Sequence, residues 1–300
     1  MQSVTSELVV RYLDAWVPRM VRSARRATVV RAWPERADGT AAEAALRACG
    51  EFADQLAGRR LSLIFLAPAL DGLDAHLTEV RRELNGADLD VFAVAGAVGS
   101  HLGPVVKAAQ AAGGPILGVI EVDPAGTGAG AAVDAAIAAV RGGKPAELLL
   151  ISPVGSADEV AGKLDRGRYE LVSSVDLVAG DDSRLLTFAT GSAKSLEAFK
   201  NELWQLDEFA GVRIRDPHDP DGQVVDIALH PQPGPLRRQI LAFLEQAGPQ
   251  TVTEVRRYAL TETVYRADDV TAVLHALVQS DAVRSDAGHG RLAGDTTLSV

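Results

Sequence analysis

The chain has one cysteine, Cys49, and two methionines among its 300 residues, and only 5% of them are aromatic. A lone cysteine excludes an intrachain disulfide and any metal site built on clustered thiols. Cys49 falls on the apolar side of a helical pattern and reads as a small core residue. No apolar run approaches the ~20 residues that a bilayer span needs, so no membrane contact is expected. The opening MQSVTSELVVRYLDAW carries Glu7 and Asp14 and lacks a basic stretch before an apolar core, so a signal peptide is not expected. No Ser-His-Asp set, H-E-x-x-H or Walker lysine motif is visible. The six histidines are scattered. His218 stands among acids in Asp216-Pro217-His218-Asp219-Pro220-Asp221, but proline-spaced surface loops read the same way, and no metal is expected.

What is present is ordinary for a soluble, cytoplasmic globular protein: 47% hydrophobic and 23% charged residues. The length suits one large domain with a small one, or two of medium size. A net charge of −10 argues against broad, non-specific nucleic-acid binding, while a local basic patch stays open. Arginine far outnumbers lysine, which fits a coding bias.

Residues 6–24 read as an amphipathic helix with Ser6 at its start and Leu8, Val9, Tyr12, Leu13, Trp16 and Val17 inside. Its far side is basic, with Arg11, Arg19, Arg22, Arg25 and Arg26, either as a solvated face or as a phosphate-contacting patch. Strands are expected at 27–32, 61–66, 89–95, 116–122 and 147–152, alternating with helices at 41–57, 70–84, 104–112 and from the Gly126–Gly130 stretch to Arg141. Residues 96–103 read as a loop. Five alternations predict a doubly wound, mostly parallel sheet. Residues 169–178 and 184–190 flank a turn at 179–183 and predict an antiparallel edge hairpin. A helix at 195–206 follows. Residues 211–235 are rich in Gly, Pro and Asp and read as an irregular excursion ending in a linker near 230–235. Beyond it, helices at 236–246, 251–260 and 266–280, capped in the second case by Thr251 or Thr253, precede two short strands at 282–285 and 291–293. That is the winged form of a helix-turn-helix. The boundary is placed between 1–232 and 233–300.

The run Ile116–Val122 has the look of a buried parallel strand closed by Asp123-Pro124-Ala125-Gly126. Ligands of open α/β sheets sit beyond such carboxyl ends. Asp123 either caps the turn that Pro124 rigidifies or stands at a ligand pocket, where these two residues are the candidate catalytic pair. A nucleotide-type ligand calls for a glycine-rich turn after strand one and a ribose-binding acid after strand two. Arg31-Ala32-Trp33-Pro34-Glu35 and Ala67-Pro68-Ala69 stand there instead. The positions left to face such a ligand are Trp33, Asp71 (several residues late) and Gly96 after strand three. In the last module Arg256, Arg257 and Arg266 are the candidate contacts to DNA. Asp268 and Asp269 near the start of its third helix suit the helix dipole and repel phosphate, so a protein contact or simple packing is the other reading.

Taken in order, these pieces resemble the three-Cys-motif partner family (TcmP). The likeness is firmest over Arg184–Thr190, Ser195-Leu196-Glu197-Ala198-Phe199-Lys200 and Leu203-Trp204-Gln205-Leu206-Asp207, which are similar to the family's strand, L-x-x-M-K helix and M-W-K-V-D run. Ser6–Leu13 resembles its opening helix and Thr261-Glu262-Thr263-Val264-Tyr265 its C-terminal module. Val122–Gly126 matches its I-D-P-F-G, with Ala125 for the aromatic. The resemblance implies a methyltransferase-like, Rossmann-type domain with a C-terminal winged-helix-like domain, and a cysteine-rich partner of radical-SAM type. The chain departs at the family's D-G-F-A-G-x-G turn, at the acid after strand two and at Ala97. Those departures imply a divergent, non-catalytic relative, a pseudoenzyme without a cofactor, that binds a protein or nucleic acid. Retention of Asp123-Pro124 implies the alternative, an S-adenosylmethionine-dependent methyltransferase with an altered pocket.

Overall fold

The computed structural model describes all residues except 85–88, 123–128, 165–166, 207–210, 220–221 and 228–231. Helix α1 (Gln2–Ser23) leads into β1 (Arg26–Ala32), and α2 (Gly39–Gly50) into β2 (Arg60–Ala67). Then follow α3 (Leu73–Glu83), β3 (Leu89–Ala95), α4 (Val98–Ala108), β4 (Ile116–Glu121), α5 (Ala129–Val140), β5 (Ala146–Ser152) and α6 (Ala157–Lys163). The hairpin β6 (Leu171–Ala179) and β7 (Asp182–Thr190) precedes α7 (Ala193–Leu203), β8 (Val212–Arg215) and β9 (Val224–Asp226).

These nine strands form one sheet in the order β3-β2-β1-β4-β5-β7-β6-β8-β9. The first five are parallel, and β7 lies antiparallel between β5 and β6. The chain reverses direction across the sheet between β1 and β4, which creates a switch point at the carboxyl ends of those strands. Alternate residues of the core strands feed two apolar layers. Val29, Leu63, Leu117 and Leu149 face α1, α2, α3 and α7, while Val30, Ile64, Ile120 and Leu150 face α4, α5 and α6. Burial on both faces is why these strands read as unbroken apolar runs.

The C-terminal residues form α8 (Pro233–Ala247), β10 (Gln250–Thr251), α9 (Val252–Glu262), α10 (Ala267–Gln279), β11 (Arg284–Ser285) and β12 (Thr297–Ser299). Their strands make a small antiparallel sheet in the order β10-β12-β11. Thr251 caps α9 in a reciprocal box with Glu254. The first apolar layer runs on into this region through Leu236, Ile240, Val255 and Leu274.

Several boundaries differ from expectation. Helix α1 starts at Gln2, so Ser6 lies inside it and caps nothing. Helix α4 begins at Val98, within the expected loop, because Val98, Leu102 and Val106 bury on one face despite Gly99, Gly103 and Pro104. Strands β8 and β9 lie in the excursion read as irregular, where β8 pairs with β6. The last strand is 297–299, not 291–293, since Leu298 packs inside and pairs with both Gln250 and Ser285. Among the described residues no helix is long and apolar enough to cross a membrane.

Candidate functional site

Strand β1 carries one charged residue into the interior, Arg31, whose side chain is 3% exposed. It meets Glu121 at the end of β4 at 2.5 Å. Its guanidinium also lies 5.1 Å from the ring centre of Trp33. Burial weakens the charged form of Arg31, and Glu121 and Asp38 push back. Trp33 is itself buried and stacks on Phe65, with ring centres 6.3 Å apart. Two donors here, Nη1 of Arg31 and Nε1 of Trp33, are buried without a hydrogen-bond partner among the described residues.

A cavity of about 660 Å³ opens beyond the ends of β1, β4 and β5. Trp33, Glu35, Arg36, Asp38, Glu121 and Arg184 contribute to its walls. It occupies the switch-point position. Asp38 is held there by capping α2, accepting from the amide of Ala41 at 3.0 Å. Toward β2, however, the crevice is laced shut. Trp33 donates its amide to Leu66 at 3.0 Å, Ala37 to Ala69 at 2.9 Å, and Ala69 to Glu35 at 3.0 Å. The segments after β1 and β2 thus extend their ladder past the strand ends.

Of the expected cofactor contacts, Trp33 alone lines this cavity. Asp71, about half exposed and in a left-handed conformation at φ 48°, points its carboxylate at Arg36. Gly96 lies beneath His101, whose ring would sit 2.4 Å from a Cβ at that position. Asp123 and Pro124 fall outside the described residues; Val122, just before them, is on the cavity wall.

The three arginines proposed for nucleic acid are not equivalent. Arg257 is exposed on α9. Arg256 donates to Thr271 of α10 at 2.9 Å. Arg266 holds Asp269 through two nitrogens, at 2.9 and 3.0 Å, and lies 5.6 Å from the ring centre of Trp204. Helix α10 contains no Lys or Arg, and its outer face presents Asp268, Ala272, His275, Ala276 and Gln279.

Two buried polar clusters were not anticipated. Glu147, at the start of β5, accepts from Tyr12 at 2.5 Å and from Ser195 at 2.6 Å. Burial raises its pKa against those hydrogen bonds. Lys200 is fully buried, and its Nζ donates to the carbonyls of Ala259, Thr263 and Tyr265. One helical turn on, Trp204 donates to the carbonyl of Val264 at 2.9 Å and stacks on Tyr265. Helix α7 is thereby pinned to the end of α9. The signals were in view: a lone charge in each of the apolar runs ATVVRA and ELLLIS, and a lysine four residues after Leu196 on an apolar helix face. Among the described residues no three His, Cys, Asp or Glu side chains gather as a metal site would require. Comparison of the chain with protein-family models and with curated proteins finds no match.

Proposed function

We propose that the chain is a non-catalytic, methyltransferase-like protein, akin to the three-Cys-motif partners, that works by binding a protein partner or nucleic acid. The parallel strands with an inserted antiparallel hairpin support the methyltransferase-like reading. The order α8-β10-α9-α10-β11-β12 supports the winged-helix-like reading of the C-terminal domain.

The observation that carries the non-catalytic reading is the closure between β1 and β2. A nucleoside needs a turn whose backbone can approach it and an acid for its ribose. Here Trp33 fills the turn, backbone bonds join Glu35 and Ala37 to Ala69, and the first acid after β2, Asp71, is turned to Arg36. These residues do not suit S-adenosylmethionine.

The second reading, a methyltransferase with an altered pocket, draws on the cavity of about 660 Å³ and on Val122, which leads from its wall to Asp123. A thermal-shift titration separates the two. A ligand at ~100 times its Kd stabilises by about 2.7 kcal/mol, a readily measured rise in Tm. We expect no rise with S-adenosylmethionine or S-adenosylhomocysteine at millimolar concentration. A saturable rise favours the second reading, and an Asp123→Ala variant with unchanged methyl transfer would then remove Asp123 from the site.

A further inference from the structure

The end of the sheet opposite the cavity gathers cations at the amino ends of β1, β2, β4 and β5. Those ends and the turns that feed them carry Arg25, Arg26, Arg59, Arg60, Arg141 and Lys144, whereas the amino end of β3, at the sheet edge, carries Asp90. No Asp or Glu occurs in residues 22–26, 57–60, 107–115 or 141–146. This is a concentrated exception in a chain of net charge −10.

The turns form one contiguous rim. Arg26 and Arg60 are direct partners across β1 and β2, hence about 4.8 Å apart along the sheet. The amide of Arg60 bonds the carbonyl of Arg25 at 2.9 Å. Arg26 reaches the carbonyl of Ala112 at 3.1 Å. Beyond it, Gly113 bonds Gly142 at 2.9 Å and Lys144 bonds Gly114 at 2.7 Å.

Helix dipoles explain only part of this. Arg22 and Lys107 lie in the last turns of α1 and α4, where a cation offsets the dipole. Arg25, Arg26, Arg59, Arg60 and Lys144 lie outside any helix. Some are spoken for: Arg60 pairs with Asp90 at 3.2 Å, and Arg59 donates to the carbonyls of Val21 and Ala24. Arg25 and Lys144 are exposed and form no ion pair among the described residues.

From this placement we infer that the rim binds the phosphate backbone of a nucleic-acid duplex without reading its sequence. This specifies the nucleic-acid arm of the proposed binding role and is independent of the cavity. The rim segments hold no aromatic residue on which unpaired bases would stack, which argues against single strands. The exposed large apolar residues, Phe92, Val154, Val224 and Val300, all lie outside the rim segments, so nothing there enters a bilayer. The same lack deprives the rim of the apolar anchors that protein interfaces place at their centre.

The test is fluorescence anisotropy of the full chain with a labelled mixed-sequence DNA duplex, and with the matching RNA duplex, at several salt concentrations. Binding should weaken steeply with salt, by ~0.9 in the log–log slope for each phosphate engaged. Arg25→Glu with Lys144→Glu should weaken it at least about tenfold, with thermal melting unchanged, while Arg256→Ala with Arg257→Ala leaves it unaltered. Preference for DNA or RNA identifies the duplex. The inference is overturned if neither duplex binds at low salt, if the rim variant binds as well as the wild type, or if only poly-glutamate or phosphatidylserine vesicles bind through the rim. None of these results bears on cofactor binding, so the proposed loss of catalysis stands or falls separately.

Discussion

The ammonium of Lys200 donates to the carbonyl oxygen of Thr263 at 2.5 Å, across 63 residues of chain. It also reaches the carbonyls of Ala259 and Tyr265, at 3.2 and 3.1 Å. Carbonyls at the end of a helix lack intrahelical partners, and one lysine from α7 serves this end of α9. The joint between the α/β sheet and the C-terminal helices is therefore a fitted contact that includes a buried cation.

Lys200→Met keeps much of the side chain's length and removes every donor. The Ala259 carbonyl keeps the Thr263 hydroxyl at 2.7 Å, but those of Thr263 and Tyr265 lose the lysine, and a buried carbonyl left unpaired costs ~1–3 kcal/mol. We expect a loss of about 3 kcal/mol or more in urea denaturation, and earlier release of the C-terminal helices by limited proteolysis. A variant as stable as the wild type would show that the joint contributes little.

The joint also gives a pH dependence. Burial lowers the pKa of Lys200 to about 7, with Asp216, Glu262 and Asp269 opposing the shift. Its unfolded value is ~10.4. Between these values the unfolded chain holds the proton more firmly. The penalty of burying the charge is thus complete below about pH 7 and fades as pH rises toward about 10. The stability difference between wild type and Lys200→Met should widen from pH 7 to pH 9 in urea titrations. A narrowing difference would contradict that sign.

Much of this arrangement was legible in the sequence, and the failures have physical causes. Runs such as Leu61–Leu66 and Glu147–Ser152 are mostly apolar because both sheet faces are covered, so their strands stood out. Strands β8 and β9 are short, half-exposed and set among Asp, Pro and Gly, and only pairing to β6 makes them strands. The last strand was misplaced because its pairing depends on Gln250, far back in the chain. Lys200, Trp204 and Thr263–Tyr265 drew notice as family-like motifs. Their meeting in space was invisible, since side chains 60 residues apart carry no local pattern. The candidate site was the least legible part: Trp33 lines the cavity, Arg31 and Glu121 showed only as lone charges in apolar runs, and Asp71 and Gly96 lie off it.

Trp33 and Asp71 make opposite predictions. Trp33 is 1% exposed and stacked, so Trp33→Ala should cost about 3–5 kcal/mol. The Asp71–Arg36 pair is exposed, so Asp71→Ala should change stability by less than about 1 kcal/mol. Both are read by thermal and urea melts. A large effect at Asp71 would mean that the closure after β2 depends on it.

The central claim is that the carboxyl ends of β1 and β2 no longer admit a nucleoside. Isothermal titration of the full chain with S-adenosylhomocysteine tests it most directly. The account predicts no saturable heat at millimolar ligand. Micromolar binding would contradict it, and would move the search to a methyl acceptor near Val122 and Asp123.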